Sequence, residues 1–243
     1  MAFNSSGALY ISDRTNQRVR RIGENGIIRT IAGNGLVGDT GDGPALEARI
    51  APTSLTFDSR GSLYVVTSNS KVRKISPDGG ISLFAGKGTG TGLIRNQGDG
   101  GPAIEATLNE PGAVAFDAQG NTYIADSANA RIRKVDSSGV ISTFGPVGVQ
   151  GKDYYNSVVV TPNGNLYLTW THTEPPNGSA AFLVRVGADG SFTKVAGNGV
   201  LCSQIRTEYP DGPTLNAPLC SISGMSSDSA GNVYITGAIT ELS

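Results

Sequence analysis

A glycine followed three residues later by a tyrosine recurs five times in this chain of 243 residues: Gly7/Tyr10, Gly61/Tyr64, Gly120/Tyr123, Gly164/Tyr167 and Gly231/Tyr234. Successive tyrosines are 54, 59, 44 and 67 residues apart. A unit of that size buries its apolar faces only against further copies of itself, so the recurrence points to a repeat array. Composition sets the element type. Thirty-four glycines, twelve prolines and 16% charged residues, against roughly 25% charged in ordinary globular domains, predict many short strands joined by turns rather than long helices.

Each tyrosine sits in the same local context. An apolar strand ending in a polar turn precedes it, as in "SLTFDSRG", "AVAFDAQG", "VVVTPNG" and "GMSSDSAG", where Asp, Asn and Gly supply turn conformations. The tyrosine strand follows, then a polar loop, a basic strand such as "KVRKI" or "RIRKV", a glycine-containing turn and a fourth strand such as "GVISTF". The 44-residue spacing matches the roughly 40–50 residues of a four-stranded propeller blade, and the longer spacings require insertions. Imperfect apolar alternation in the basic strands fits blades covered on both faces, with Arg and Lys stems lying along apolar surface. The fold predicted is all-β, a β-propeller of four-stranded antiparallel blades forming one domain over 1–243. Blade one covers about 1–35, blade two about 52–86, blade three about 111–145, blade four about 155–198 and a partial blade five about 220–243.

The repeat also carries polar residues at fixed offsets. Asp13, Asn16 and Arg18 recur as Asp126, Asn129 and Arg131, and the second blade loosens the set to Thr67 and Asn69. An Asx side chain closing a tight turn, with a carboxylate near a returning arginine, fixes a hairpin at small entropic cost. A constellation repeated blade after blade reads as a hairpin fastener rather than an active site.

The runs "LYISDRTNQRVRRI" and "TYIADSANARIRKV" resemble the NHL repeat family over nearly the whole chain. The connectors "GDGPALEARIAP" from Gly41, "GDGGPAIEATLNEP" from Gly98 and "DGPTLNAPL" from Asp211 are similar to those of bacterial and teneurin-type NHL propellers, and "IAGNG", "FAGKG" and "VAGNG" precede them. That resemblance implies a propeller of six blades. Met1 aligns inside a first strand and the last blade stops after its second, giving about 18 strands of 24, or about four and a half blades. The expectation is a fragment of a longer protein whose terminal blades do not close a ring. In the connectors, a proline after the Asp-Gly turn and an acidic residue next to it suit a single helical turn with proline at its first position.

Blade four departs from the pattern. Its approach, "GPVGVQGKDYYNSVVV", lacks the connector, and after "LYLTW" the fastener is replaced by "THTEPPNGSAAFLVRV". Loops of this kind share one propeller rim, so Tyr154, Tyr155, Trp170, His172 and Glu174 are the candidate binding residues. The alternative is a variable loop packed on itself. His172 is the sole histidine, and a lone loop histidine is more often structurally neutral than a catalytic base.

Other chemistries find little support in the sequence. Nineteen basic and 20 acidic residues give a net charge of −1, which favours neither nucleic acid nor an anionic membrane, and no apolar run spans a bilayer. Arg18, Arg20 and Arg21 form a basic run that reads as solvated or blade-locking rather than as an RNA patch. Cys202 and Cys220 fit either a loop-closing disulfide in an oxidising compartment or two unrelated thiols, and they cannot complete a zinc site alone. Calcium at Asp39, Asp42 and Asp99 lacks the alternating ligand run of an EF-hand. No serine-hydrolase elbow, Walker loop, His-Glu-x-x-His or Cys-x-x-Cys is present, so no catalytic residue, metal ligand or cofactor is assigned. The function expected from the resemblance is a non-enzymatic recognition scaffold for a protein or carbohydrate partner, extracellular or periplasmic. The alternative is a metal-dependent, calcium-type hydrolase or lyase with its site in the central channel.

Overall fold

The computed structural model describes residues 1–88, 97–201 and 213–237. The strands fall into antiparallel sheets. The first sheet joins β1 (Ala2–Phe3), β2 (Leu9–Asp13), β3 (Arg18–Ile22) and β4 (Ile28–Ala32) in sequence order. In the second, β6 (Pro52–Phe57), β7 (Leu63–Thr67), β8 (Lys71–Ile75) and β9 (Gly80–Ala85) follow one another, and the short β5 (Gly43–Pro44) adds outside β9. The third has β10 (Pro111–Phe116), β11 (Thr122–Asp126), β12 (Arg131–Val135) and β13 (Ile141–Phe144). The fourth has β14 (Asp153–Val160), β15 (Leu166–Glu174), β16 (Gly178–Val186) and β17 (Phe192–Ala196), and β18 (Gly224–Ser227) pairs with β19 (Val233–Thr236). Sequential four-stranded meanders are the blades of a β-propeller. By contact the chain divides into two compact units, the first being Met1–Val114 with Ser138–Ser142 and the second the remaining described residues.

β-Branched and aromatic residues fill the inner strands, and burial on both faces is what allows near-continuous apolar runs. All five residues of β7 and all five of β11 are buried. Within the first unit, Val19 and Ala32 of blade one pack with Leu55, Val65 and Ile75 of blade two in one core. Tyr10 meets Phe57 edge-on there, with ring centroids 4.9 Å apart.

The glycine-tyrosine anchor has a mechanical basis. Asp117 Oδ1 accepts the backbone N–H groups of Gln119 and Asn121 at 3.0 and 2.8 Å, closing the turn before β11, and its other oxygen accepts the Tyr123 hydroxyl at 3.0 Å. Asp228 and Tyr234 repeat the arrangement before β19, also at 3.0 Å. The tyrosine therefore ties its strand to the preceding turn. Burial, with Asp117 adding to it, pushes the Tyr123 hydroxyl up to about 12. Behind the rings run the basic strands: Lys74 lies 5.5 Å from the Tyr64 centroid and Lys134 5.8 Å from that of Tyr123.

The connectors form single 3-10 turns, Ala45–Glu47, Ala103–Glu105 and Thr214–Asn216. Each proline occupies the extended capping position before the turn, one place earlier than the sequence suggests. The "AG" that ends the fourth strands of blades one, two and four docks on this turn. Gly33 N–H donates to the Ala45 carbonyl, Gly86 to Ala103 at 2.9 Å, and Gly197 to Thr214. At these glycines φ lies between +86° and +96°. A Cβ on Gly86 would stand 2.6 Å from the Ser70 carbonyl oxygen, and one on Gly197 2.4 Å from that of Ala181, so only glycine fits.

Candidate functional site

Each hairpin fastener joins its asparagine to the turn aspartate, and its arginine reaches the loop backbone. Asn16 Nδ2 donates to both oxygens of Asp13 at 2.9 and 3.1 Å, and Asn129 Nδ2 donates to Asp126 at 2.9 Å. Asp13 faces Arg18, and Asp126 faces Arg131, across the ladder. Arg18 nevertheless sends its guanidinium to the carbonyls of Asn16 and Asn34, at 2.9 and 3.0 Å, and Arg131 Nε donates to the Asn129 carbonyl at 3.2 Å. Arg133, two residues on, also meets the Asp126 carboxylate, at 3.5 Å with both side chains fully buried.

The central arginine of the basic strand does work that the sequence reading did not assign. Arg73 is 2% exposed and gathers the Gly-Asp-Gly connector: its guanidinium donates to Asp39 at 2.8 Å, to the Thr40 carbonyl at 2.6 Å, to the Gly41 carbonyl at 3.0 Å and to Asp42 at 3.3 Å. Lys71 also pairs with Asp39. The carboxylates considered for calcium, Asp39 and Asp42, thus already neutralise a protein cation. Among the described residues no three of His, Cys, Asp and Glu are grouped to hold a metal ion. Blade four, which lacks the connector, also lacks the arginine. Arg73 faces Val65 and Arg133 faces Ile124, and the equivalent position opposite Leu168 is Val184.

The irregular part of blade four is strand rather than loop. β15 and β16 pair continuously from Leu166↔Val186 to Glu174↔Gly178, nine residues each, and the segment "THTE" expected in a loop completes β15. β14 reaches back to Asp153, which faces His172. This Asp153 organises the cluster. It is 4% exposed and accepts the His172 Nδ1–H at 2.7 Å, the Trp170 Nε1–H at 2.8 Å and the Val149 backbone N–H at 2.6 Å. Burial acts to raise its pKa, but the hydrogen bonds from His172, Val149 and Trp170 outweigh it and hold the carboxyl below the ordinary carboxylate range. The hydrogen bond to Asp153 in turn raises the pKa of His172, and Glu174, 3.4 Å from Nε2, adds to the rise. Lys152 stands 3.7 Å from the same Glu174 oxygen.

Three of the five candidate binding residues, Trp170, His172 and Glu174, lie around this cluster and are half-buried; Tyr154 is half-buried too but stands opposite Thr171, on the other face of the sheet. Tyr155 is not available: it is 2% exposed and packs against Phe192, with centroids 5.8 Å apart, and burial pushes its hydroxyl up to about 12. Tyr155 stands opposite Trp170, on the cluster's own face of the sheet, whereas Tyr154 points to the other face. Trp170 stacks near Phe182 at 5.0 Å, and the Lys194 ammonium lies 3.9 Å from the Phe182 centroid and 5.1 Å from that of Trp170. Asp153 was missed by sequence reading because it stands in an approach segment with no counterpart in the other blades. The only available hint was its i, i+2 relation to Tyr155. The proposed Cys202–Cys220 pairing lies outside the described residues, and Cys220 itself is buried.

An imidazole held by a buried carboxylate beside an indole, a carboxylate and an ammonium can donate and accept hydrogen bonds and offer an aromatic face to a ligand. Comparison with known proteins agrees with the repeat pattern. Residues 82–157 match the teneurin NHL domain. Human teneurin-4 is 32% identical over 144 residues, covering 52% of this chain and 5% of that protein, and Drosophila melanogaster teneurin-m is 25% identical over 161 residues, covering 63% and 6%. The chain thus spans about a twentieth of the length of the curated relatives it matches. Among solved structures, a gluconolactonase from Xanthomonas campestris superposes with a TM-score of 0.57 at 16% identity, covering 97% of this chain and 67% of that one. A streptogramin B lyase gives 0.56 at 16% identity, covering 96% and 60%. Both likenesses are of fold. No helix among the described residues is long and apolar enough to cross a membrane.

Proposed function

We propose, for a chain whose blades are of the NHL propeller type, that it acts as a non-enzymatic recognition scaffold, extracellular or periplasmic, taking a protein or carbohydrate partner on the far end of the β15–β16 hairpin. The observation that carries this reading is the buried Asp153, which fixes Trp170 and His172 in orientation while leaving part of each at the surface. Recognition benefits from side chains locked before the partner arrives, because less rotamer entropy is lost on binding. Glu174 and Lys152, at 46% and 48% side-chain exposure, form the charged rim around them. Similarity to teneurin NHL domains supports the scaffold reading.

The test is a glycan array and a pull-down from matched extracellular fractions, each run with the wild-type chain and with the double variant His172→Ala/Glu174→Gln. Ligands that bind the wild type and lose at least tenfold in affinity for the variant support the assignment. Ligands bound equally by both overturn it.

A second reading rests on the same pair. A carboxylate-oriented imidazole is the arrangement of a general base, and the fold is shared with a lyase and a lactonase. A metal-dependent hydrolase or lyase would be favoured if lactone or ester probes were turned over by the wild type, with stoichiometric calcium retained, and not by His172→Gln.

A further inference from the structure

Blade four carries a second recess at the opposite end of its hairpin, which nothing above uses. A cavity of about 370 Å³ opens between the turn that follows Asp117, the turn at Gly164 and the turn at Gly187. Its volume falls in the range of small-ligand pockets, roughly 300–1,000 Å³. Leu166 and Val186, which line it, face each other across β15 and β16, eight residues from the Glu174↔Gly178 end. At about 3.3 Å per residue the two ends are roughly 26 Å apart.

The lining combines an apolar wall with one uncommitted cation. Tyr123 and Phe144, with ring centroids 5.4 Å apart, form one side, and Val160, Leu166 and Val186 form another. The two charged groups of the lining are in opposite states. Asp117 is spent: its carboxylate accepts four donors, from Gln119 N–H, Asn121 N–H, Asn121 Nδ2 and the Tyr123 hydroxyl, between 2.7 and 3.0 Å, which fills the acceptor capacity of a carboxylate. Arg185 is free: it is exposed, and it pairs with no carboxylate among the described residues. Its place in the repeat sharpens the contrast. Arg185 faces Tyr167 as Lys74 faces Tyr64 and Lys134 faces Tyr123. Those two ammoniums, like the Arg21 guanidinium opposite Tyr10 in blade one, lie over their own tyrosine rings, whereas the Arg185 guanidinium lines the cavity instead.

We infer that this recess binds a small apolar carboxylate, with the carboxylate paired to the Arg185 guanidinium and the apolar group against Tyr123, Phe144 and Leu166. A guanidinium presents two parallel N–H donors that match a carboxylate fork, and aliphatic and aromatic walls select an alkyl or aryl body over a hydroxylated one. The same chemistry is carried by a free acid or by the C-terminus of a peptide ending in an apolar residue.

The probes are N-acetyl-phenylalanine, its primary amide, and a capped tripeptide ending in a free phenylalanine carboxylate, titrated into the full chain by calorimetry. The acid is expected to bind at least tenfold more tightly than the amide, and Arg185→Gln to erase that preference. The exposed position of Arg185 lets the variant fold, which its thermal midpoint verifies. Arg185→Lys keeps the charge without the fork and is expected to recover only part of the preference. Tighter binding of the tripeptide identifies a peptide terminus as the source of the carboxylate, and tighter binding of the single acid identifies a metabolite. Equal binding of acid and amide, no binding of any probe, or a preference unchanged in Arg185→Gln overturns the inference. None of these results bears on the His172 end, whose variants are read separately.

Discussion

A single proton links the best-defined residues of the molecule. Asp153 is buried, and its charge is sustained by donors, of which the His172 imidazole is the first to titrate on raising the pH. The hydrogen bond to Asp153, with Glu174 beside it, raises the His172 pKa above its ordinary value of 6.5. A group whose pKa is higher folded than unfolded stabilises the fold fully below its unfolded pKa, and that contribution fades as pH rises through the folded value. Stability linked to His172 is therefore present at pH 6 and lost on going well above 6.5. Because His172 is the sole histidine, no second imidazole blurs the window. The thermal midpoint of the wild type is expected to fall between pH 6 and pH 8.5 by more than that of His172→Gln. Proton NMR of the one imidazole reads the pKa directly, and a value at or below 6.5 would refute the raised assignment.

At the level of elements, glycines with the same dihedral angle have different reasons to be there. Gly79 and Gly86 both have φ near +87°. A Cβ on Gly79 meets nothing within 4 Å, whereas one on Gly86 meets the Ser70 carbonyl at 2.6 Å and Leu108 Cδ1 at 3.0 Å. Gly79→Ala should cost only the left-handed strain, about 1 kcal/mol, and Gly86→Ala that strain plus displacement of a strand end from its connector, about 3 kcal/mol in all. Urea denaturation of the two variants measures the difference, and equal losses would refute the docking role of the "AG" motif. Much of this scale was legible in the sequence. The turn aspartates, the tyrosine strands and the basic strands lie where the repeat puts them, because their spacing is fixed by local turn chemistry. The connector geometry was legible in kind but not in detail: proline marks the turn's start, yet a 3-10 turn with proline as its cap needs the neighbouring glycine docked on it. The continuation of β15 through His172 and Glu174 was not legible. "THTEPPNG" has the composition of a loop, and its pairing with β16 and β14 is settled by long-range register rather than by local preference.

At the scale of the whole molecule, connector and blade are held together by a buried cation supplied by the protein itself. Arg73 sits among two carboxylates and two carbonyls, from Asp39, Thr40, Gly41 and Asp42, which is the kind of oxygen cluster that hard cations also seek. The guanidinium already supplies the positive charge there. EDTA should therefore leave the thermal midpoint of the wild-type chain unchanged, and millimolar calcium should not raise it. Removing the guanidinium changes the balance. Arg73→Leu fills part of the space but leaves the four oxygens facing one another. Breaking a fully buried pair costs about 3–5 kcal/mol, and the 62% exposure of the Asp42 side chain reduces the expected loss to about 2–3 kcal/mol, since water can solvate that carboxylate. With the guanidinium gone, Lys71 still pairs with Asp39, but the Thr40 and Gly41 carbonyls and Asp42 are left for calcium, so the variant should regain part of its midpoint in millimolar calcium while the wild type does not respond. Melting curves of both proteins in EDTA and in calcium decide the point: a wild-type midpoint that falls in EDTA, or an Arg73→Leu variant as stable as its parent, would show that the connectors are held in some other way.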